Sequence, residues 1–107
     1  SSRKEAGVAE LDELIHQPAR LRIMATLIAL KAGESADFTY LRELLEMTDG
    51  NIGAHLRKLE EAAYVEIEKD YVDRKPRTFV KSTARGKAAF RGHVAALEAI
   101  LAAAGKG

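Results

Sequence analysis

Between Ile52 and Phe90 the spacing of apolar residues changes period twice, and this alternation restricts the fold more than any other feature of the chain. Ile52, Leu56, Leu59 and Ala63 recur at intervals of three and four, which places them within roughly 60° of one another on a helix turning about 100° per residue. Past Ala63 the period drops to two. Val65, Ile67, Lys69 and Tyr71 alternate with Glu66, Glu68 and Asp70, as in a strand with one wetter face. Val72 to Arg77 reads as a polar turn stiffened by Pro76, and Thr78 to Thr83 as a returning strand, so the pair predicts a hairpin with a basic tip. Phe79 and Val80 are adjacent and must point opposite ways, which leaves the buried side of the second strand open. Helical spacing then resumes: Thr83 caps an alanine-rich helix to about Ala104, with Phe90, Val94, Leu97 and Leu101 on one stripe and Ile100 beside it.

Upstream, Val8, Leu11, Leu14 and Ile15 suit a short amphipathic helix over residues 8–16. Pro18, tolerated only in a first turn, restarts the chain as a central helix over 18–31 that Gly33 ends. Asp37 caps a helix of about two turns carrying Phe38, Leu41, Leu44 and Leu45. The chain breaks at Met47-Thr48, and Thr48 caps the next helix with Asp49 complementing its dipole. With 107 residues, 47% hydrophobic and 31% charged, these segments share one modest core in a single domain spanning 1–107. No linker or internal repeat divides them.

Composition excludes several classes. Without cysteine there is neither a disulfide framework nor a thiolate metal site, and no stretch approaches the ~18 apolar residues of a membrane span. The expectation is a cytoplasmic protein with no membrane partner. The net charge of +1 hides an uneven distribution. Ten acids face four bases from Glu34 to Asp70, whereas Val72 to Arg91 holds seven bases and one acid, Asp73. A basic segment of this kind suits an anionic partner.

The order helix, helix, helix, strand, basic turn, strand, helix is the layout of a winged helix-turn-helix, mainly α with a small β-hairpin, whose third helix enters the DNA major groove. Opposite the buried stripe of that helix lie Gly50, Ala54, Arg57 and Glu61, with Lys58 next to them and Asn51 and His55 on one flank. Small residues let a backbone approach a groove, while Asn and His meet base edges and Arg and Lys meet phosphates or guanine.

The run TDGNIGAHLRKLEEAAYVEIEK, followed by DRKPRTFVKSTARGKAAF, resembles the winged-helix transcriptional regulators related to the MarR and ArsR groups. Within them it is similar to a small bacterial branch with a TDGNL-type recognition helix, HLRKLEEAGYV, a (G)RKPRT wing and an LTxxGR-type start to the last helix. The resemblance covers roughly Leu14 to Leu97. It implies a DNA-binding dimer that represses or modulates transcription, with Thr48, Asp49, Gly50, Asn51, Ala54, His55, Arg57 and Lys58 on or beside the recognition surface and Arg74, Lys75 and Arg77 in the wing. Two residues depart from the pattern: Ala63 stands where a glycine is usual, and Ser82 where an apolar residue is usual.

Reading one half-site binds weakly, so a homodimer on double-stranded DNA is expected. Its candidate interface combines Leu11, Leu14 and Ile15 with Phe90, Val94, Leu97 and Leu101. A repressor without catalytic activity, metal or cofactor is the reading adopted, and the residues identify no small-molecule effector. Three rivals remain. His16, His55 and His93 could converge as a metal-sensing site, although no His-Glu-x-x-His or phosphate-loop motif is present. Gly50-Asn51-Ile52-Gly53 matches the GxxG of an RNA-binding KH loop, but the strands are too few and wrongly placed. A winged helix can also serve protein interaction, to which the acidic stretch Glu60 to Asp70 would be suited.

Overall fold

Most helices of the chain begin where a polar side chain can accept hydrogen bonds from amides that a first turn leaves free. The computed structural model describes residues 11–106, and the expected helix over 8–16 is seen there as α1 (Glu13–His16), capped by Asp12 Oδ1, which accepts from the amides of Leu14 and Ile15. Val8 lies outside the described residues. Gln17 Oε1 caps α2 (Pro18–Ile28), which has Pro18 at its first position. This helix ends at Ile28, not Lys31, and Gly33 shapes the following turn at φ +85°, a conformation open to glycine.

A two-residue strand, β1 (Ala36–Asp37), then leads directly into α3 (Phe38–Leu44), whose first amides Asp37 Oδ1 accepts. Sequence periodicity missed β1 because two residues carry no period. Next come α4 (Asp49–Glu61), capped by Thr48, the strands β2 (Val65–Val72) and β3 (Lys75–Ser82), and α5 (Ala84–Lys106). The sheet has the order β1-β3-β2, antiparallel throughout, with Ala36 opposite Val80 and Ile67 also opposite Val80.

One core joins all these elements. Ile15, Ile23, Met24, Leu27, Leu41, Ile52, Leu56, Leu59, Val65 and Val80 are buried, each worth about 1.5–3 kcal/mol of apolar burial. Val80 therefore supplies the buried side of β3, and Phe79 is half-buried on the other face. Ala63, expected in the buried stripe of α4, is exposed and lies beyond the helix end at φ +65°. Its amide donates to Glu60 O and that of Tyr64 to Leu59 O, the paired bonds of a helix end that normally favours glycine. Glu46 at φ +56° closes α3 in the same way, its amide donating to Glu43 O and that of Met47 to Arg42 O.

The last helix runs for 23 residues, about 34 Å, and lengthens the domain to 57 Å against 26 and 25 Å in the other directions. Its first half packs on the core. Its distal end does not: Ile100 is 51% and Leu101 69% exposed.

Candidate nucleic-acid interface

The outward face of α4 is small and polar at its start and basic farther along. Gly50, Asn51, Ala54, Arg57 and Lys58 are all exposed, and Ile52, Leu56 and Leu59 anchor the opposite face in the core. A Cβ added at Gly50 or Gly53 would meet nothing within 4 Å, and neither glycine has a positive φ. The fold of the single chain therefore gives no steric reason for either, although glycine costs about 1 kcal/mol relative to alanine inside a helix.

Three expected recognition residues have partners within the chain. Thr48 Oγ1 accepts from Asn51 N at 3.2 Å. Asp49 Oδ1 stands 2.9 Å from Arg42 Nε of α3, at ion-pair distance though off the line of the N–H, so it ties the two helices of the helix-turn-helix together. His55 is half-buried, with Nδ1 3.1 Å from Arg20 Nη1. Burial, reinforced by the charges of Arg20 and Lys58, pushes the His55 pKa below the ordinary histidine value.

The wing is tighter than a Val72–Arg77 turn. Val72 pairs with Lys75, so the loop is Asp73-Arg74 alone, at φ +53° and +67°. Positive φ at both central residues is the mark of a type I′ hairpin, which suits the twist of its strands. Lys75, Pro76 and Arg77 belong to β3, so Pro76 stiffens a strand and not a loop. Arg74 and Lys75 are exposed at or next to the tip, as expected. Arg77 is not at the tip. Its Nη1 donates to Asp37 Oδ2 at 2.5 Å, which makes it a clamp between β3 and the start of α3. Burial alone would raise the Asp37 pKa, but hydrogen bonds from Arg77 and the Thr39 and Tyr40 amides, with the Arg77 charge, hold it below the usual carboxylate value. Farther along β3, Lys81 faces an acid across the ladder, its Nζ 3.7 Å from Glu66 Oε1.

This surface belongs to a recognised architecture. The sequence matches the family described as winged helix DNA-binding domain over residues 19–101. The chain belongs to that family. It is 37% identical over 82 residues to an uncharacterized protein of Methanocaldococcus jannaschii, across 77% of this chain and 86% of the relative. The solved structure of a transcriptional regulator homologue protein from Pyrococcus horikoshii superimposes with a TM-score of 0.77 at 30% identity, covering 86% of this chain and 88% of the other. In this winged helix α3 and α4 form the helix-turn-helix and β2-β3 the wing.

The three histidines do not converge. The rings of His16 and His93 meet edge to face at 5.4 Å, whereas His55 is occupied by Arg20. Among the described residues no group of three or more His, Cys, Asp or Glu is placed to hold a metal ion. Of the expected interface residues, Ile15 is fully buried in its own core and is removed from any intersubunit surface. Leu14 and Phe90 also pack partly on that core, Leu11, Val94 and Leu97 are half-buried, and Leu101 is the most open.

Sequence reasoning passed over one pair and one glycine. Arg20 was not singled out, since nothing local links α2 to α4. Gly86 was legible only as part of the LTxxGR-type pattern, yet a Cβ there would overlap the Tyr64 carbonyl oxygen and stand 2.9 Å from its carbon.

Proposed function

We propose that this winged helix is a homodimeric transcription regulator that binds double-stranded DNA sequence-specifically, with α4 in the major groove and the wing on the backbone or minor groove. The observation that carries the reading is the pairing of two glycines that meet nothing inside the chain with an exposed Asn51, Arg57 and Lys58 on the same helix. Glycine at the near face lets the helix backbone approach base edges, and the cations neutralise phosphates. Arg74 supports the same reading: an arginine at φ +67° is strained, and its guanidinium stands at the tip the wing would extend to DNA. The transcriptional regulator homologue of Pyrococcus horikoshii shares this architecture.

The exposed end of α5, with Ile100 and Leu101, is the proposed dimer contact. A dimer would place two copies of α4 on successive half-sites about 34–36 Å apart. Repression, by denying the site to other proteins, is the regulatory sign we adopt, and no reaction is assigned to the chain.

Selection of bound sequences from a random duplex pool tests the reading and reports half-site spacing. Affinity for the selected site should fall steeply with salt, and Arg74→Glu with Lys75→Glu should abolish most of it. If that double variant binds as well as the parent, the mechanism is wrong. A protein-interaction role is the alternative, favoured by the acidic cleft lined by Glu60, Glu66 and Glu68 at the far end of α4. It predicts no salt-dependent binding of duplex DNA by the parent.

A further inference from the structure

Among the polar contacts between elements, that of Arg20 with His55 has a consequence for recognition. A guanidinium carries donors only and stays protonated throughout the ordinary pH range. Arg20 Nη1 lies 3.1 Å from His55 Nδ1, so Nδ1 must be the accepting nitrogen and cannot bear a proton. In a neutral imidazole the proton then resides on Nε2.

The arginine is held firmly enough to impose this. Its own amide donates to Gln17 Oε1 at 2.9 Å, and its Nε donates to Leu14 O at 2.6 Å, pinning it at the corner between α1 and α2. Protonating His55 would turn Nδ1 into a second donor facing a cation. The depressed His55 pKa, from burial, Arg20 and Lys58, agrees with a neutral ring. Among the described residues Nε2 has no partner, and it is not sealed from solvent.

We infer that Arg20 locks His55 in the Nε2–H tautomer, so that this side chain of α4 offers DNA a hydrogen-bond donor and never an acceptor. The inference rests on the DNA-binding reading above. The ligand chemistry is an acceptor atom: guanine N7 or O6, adenine N7, thymine O4, or a phosphate oxygen. The amino groups of cytosine and adenine are donors and are rejected. An asparagine or glutamine here could turn over to present either atom, and so could an unlocked histidine. His55 is thus a donor-only contact, one that determines specificity where its acceptor is a base edge, and Arg20 is the positioning residue behind it.

The lock is read on the free full chain, without DNA, from the 15N chemical shifts of the His55 ring. At neutral pH Nδ1 should be unprotonated and Nε2 protonated, and Arg20→Met should convert the ring to a mixture of tautomers. In the duplex selection, His55→Ala should relax base preference at one position per half-site and weaken the selected site roughly five- to tenfold. An equal loss on every sequence, with preference unchanged, assigns the acceptor to a phosphate oxygen and upholds the donor role. A proton on Nδ1 of the parent overturns the proposal, as does a His55→Ala protein that binds selected and random duplexes like the parent. If Arg20→Met does not fold, the parent spectrum and His55→Ala decide by themselves. A parent that binds no duplex, with the predicted ring spectrum intact, overturns the DNA reading and with it the role of His55 in recognition, while leaving the lock standing.

Discussion

The starts of α4 and α5 are built alike and serve different ends. Each is capped by a threonine whose hydroxyl accepts from the amide three residues on, Thr48 from Asn51 at 3.2 Å and Thr83 from Gly86 at 2.9 Å. Each carries glycine in its first turn. At α5 the glycine is demanded from within, because Gly86 packs on the backbone of Tyr64, whose carbonyl also accepts from Thr83 N. At α4 nothing within the chain needs Gly50 or Gly53. At these two helix starts the same residue type therefore marks an interior contact in one and an open surface in the other. A local rule broken without internal compensation is most informative about a site.

The sharpest break of this contrast is Gly86→Ala, which should destabilise the domain by about 3 kcal/mol in urea unfolding, since the neighbour that must move is backbone. A loss under 1 kcal/mol would mean that Gly86 is no more constrained than the glycines of α4.

The histidines carry a parallel contrast. His93 is fully buried, its Nδ1 accepting from Asp12 N at 2.9 Å, whereas His55 is half-open. Burial chiefly, with the nearby His16, holds the His93 pKa below 6.5, against an opposing pull from Asp12. The unfolded chain then binds the proton more readily. Stability contributed by a neutral His93 is fully present above about pH 6.5 and is lost as pH falls from there through the folded value. The free energy of unfolding measured between pH 8 and 5 should decline below 6.5, by at most about 1.4 kcal/mol per pH unit for each proton taken up, with His55 adding to His93 in this window. A flat profile would place His93 in a wetter setting than the fold shows.

Smaller effects come from positions that violate the glycine preference in the opposite sense. Ala63→Gly should stabilise by about 1 kcal/mol, because φ +65° strains alanine and nothing in the proposed interface uses its methyl. Arg74→Gly should stabilise the hairpin to a similar degree while weakening DNA binding, so denaturation and affinity should move in opposite directions. Gly53→Ala, in the interior of α4, should add about 0.5–1 kcal/mol, and Gly50→Ala, nearer its end, a few tenths. Both should weaken selected-site affinity. Stabilisation without any loss of affinity would show that clearance for DNA is not what keeps these glycines.

Helix caps at Thr48 and Asp37, the buried stripe Ile52, Leu56 and Leu59, and the two changes of period were legible because each depends on residues a few positions apart. The basic wing and the small outer face of α4 were legible for the same reason. Arg77 was misplaced at the tip because its partner, Asp37, is 40 residues away and belongs to a strand too short to leave a pattern.

The sequence by itself determined the order of elements, the faces that must be buried and the winged-helix reading, since these follow from short-range periodicity and capping. Only the tertiary structure decided which glycine is structural and which bases are already paired. It also decided the acceptor nitrogen of His55, because Arg20 reaches it from another helix and its chemistry allows no other arrangement.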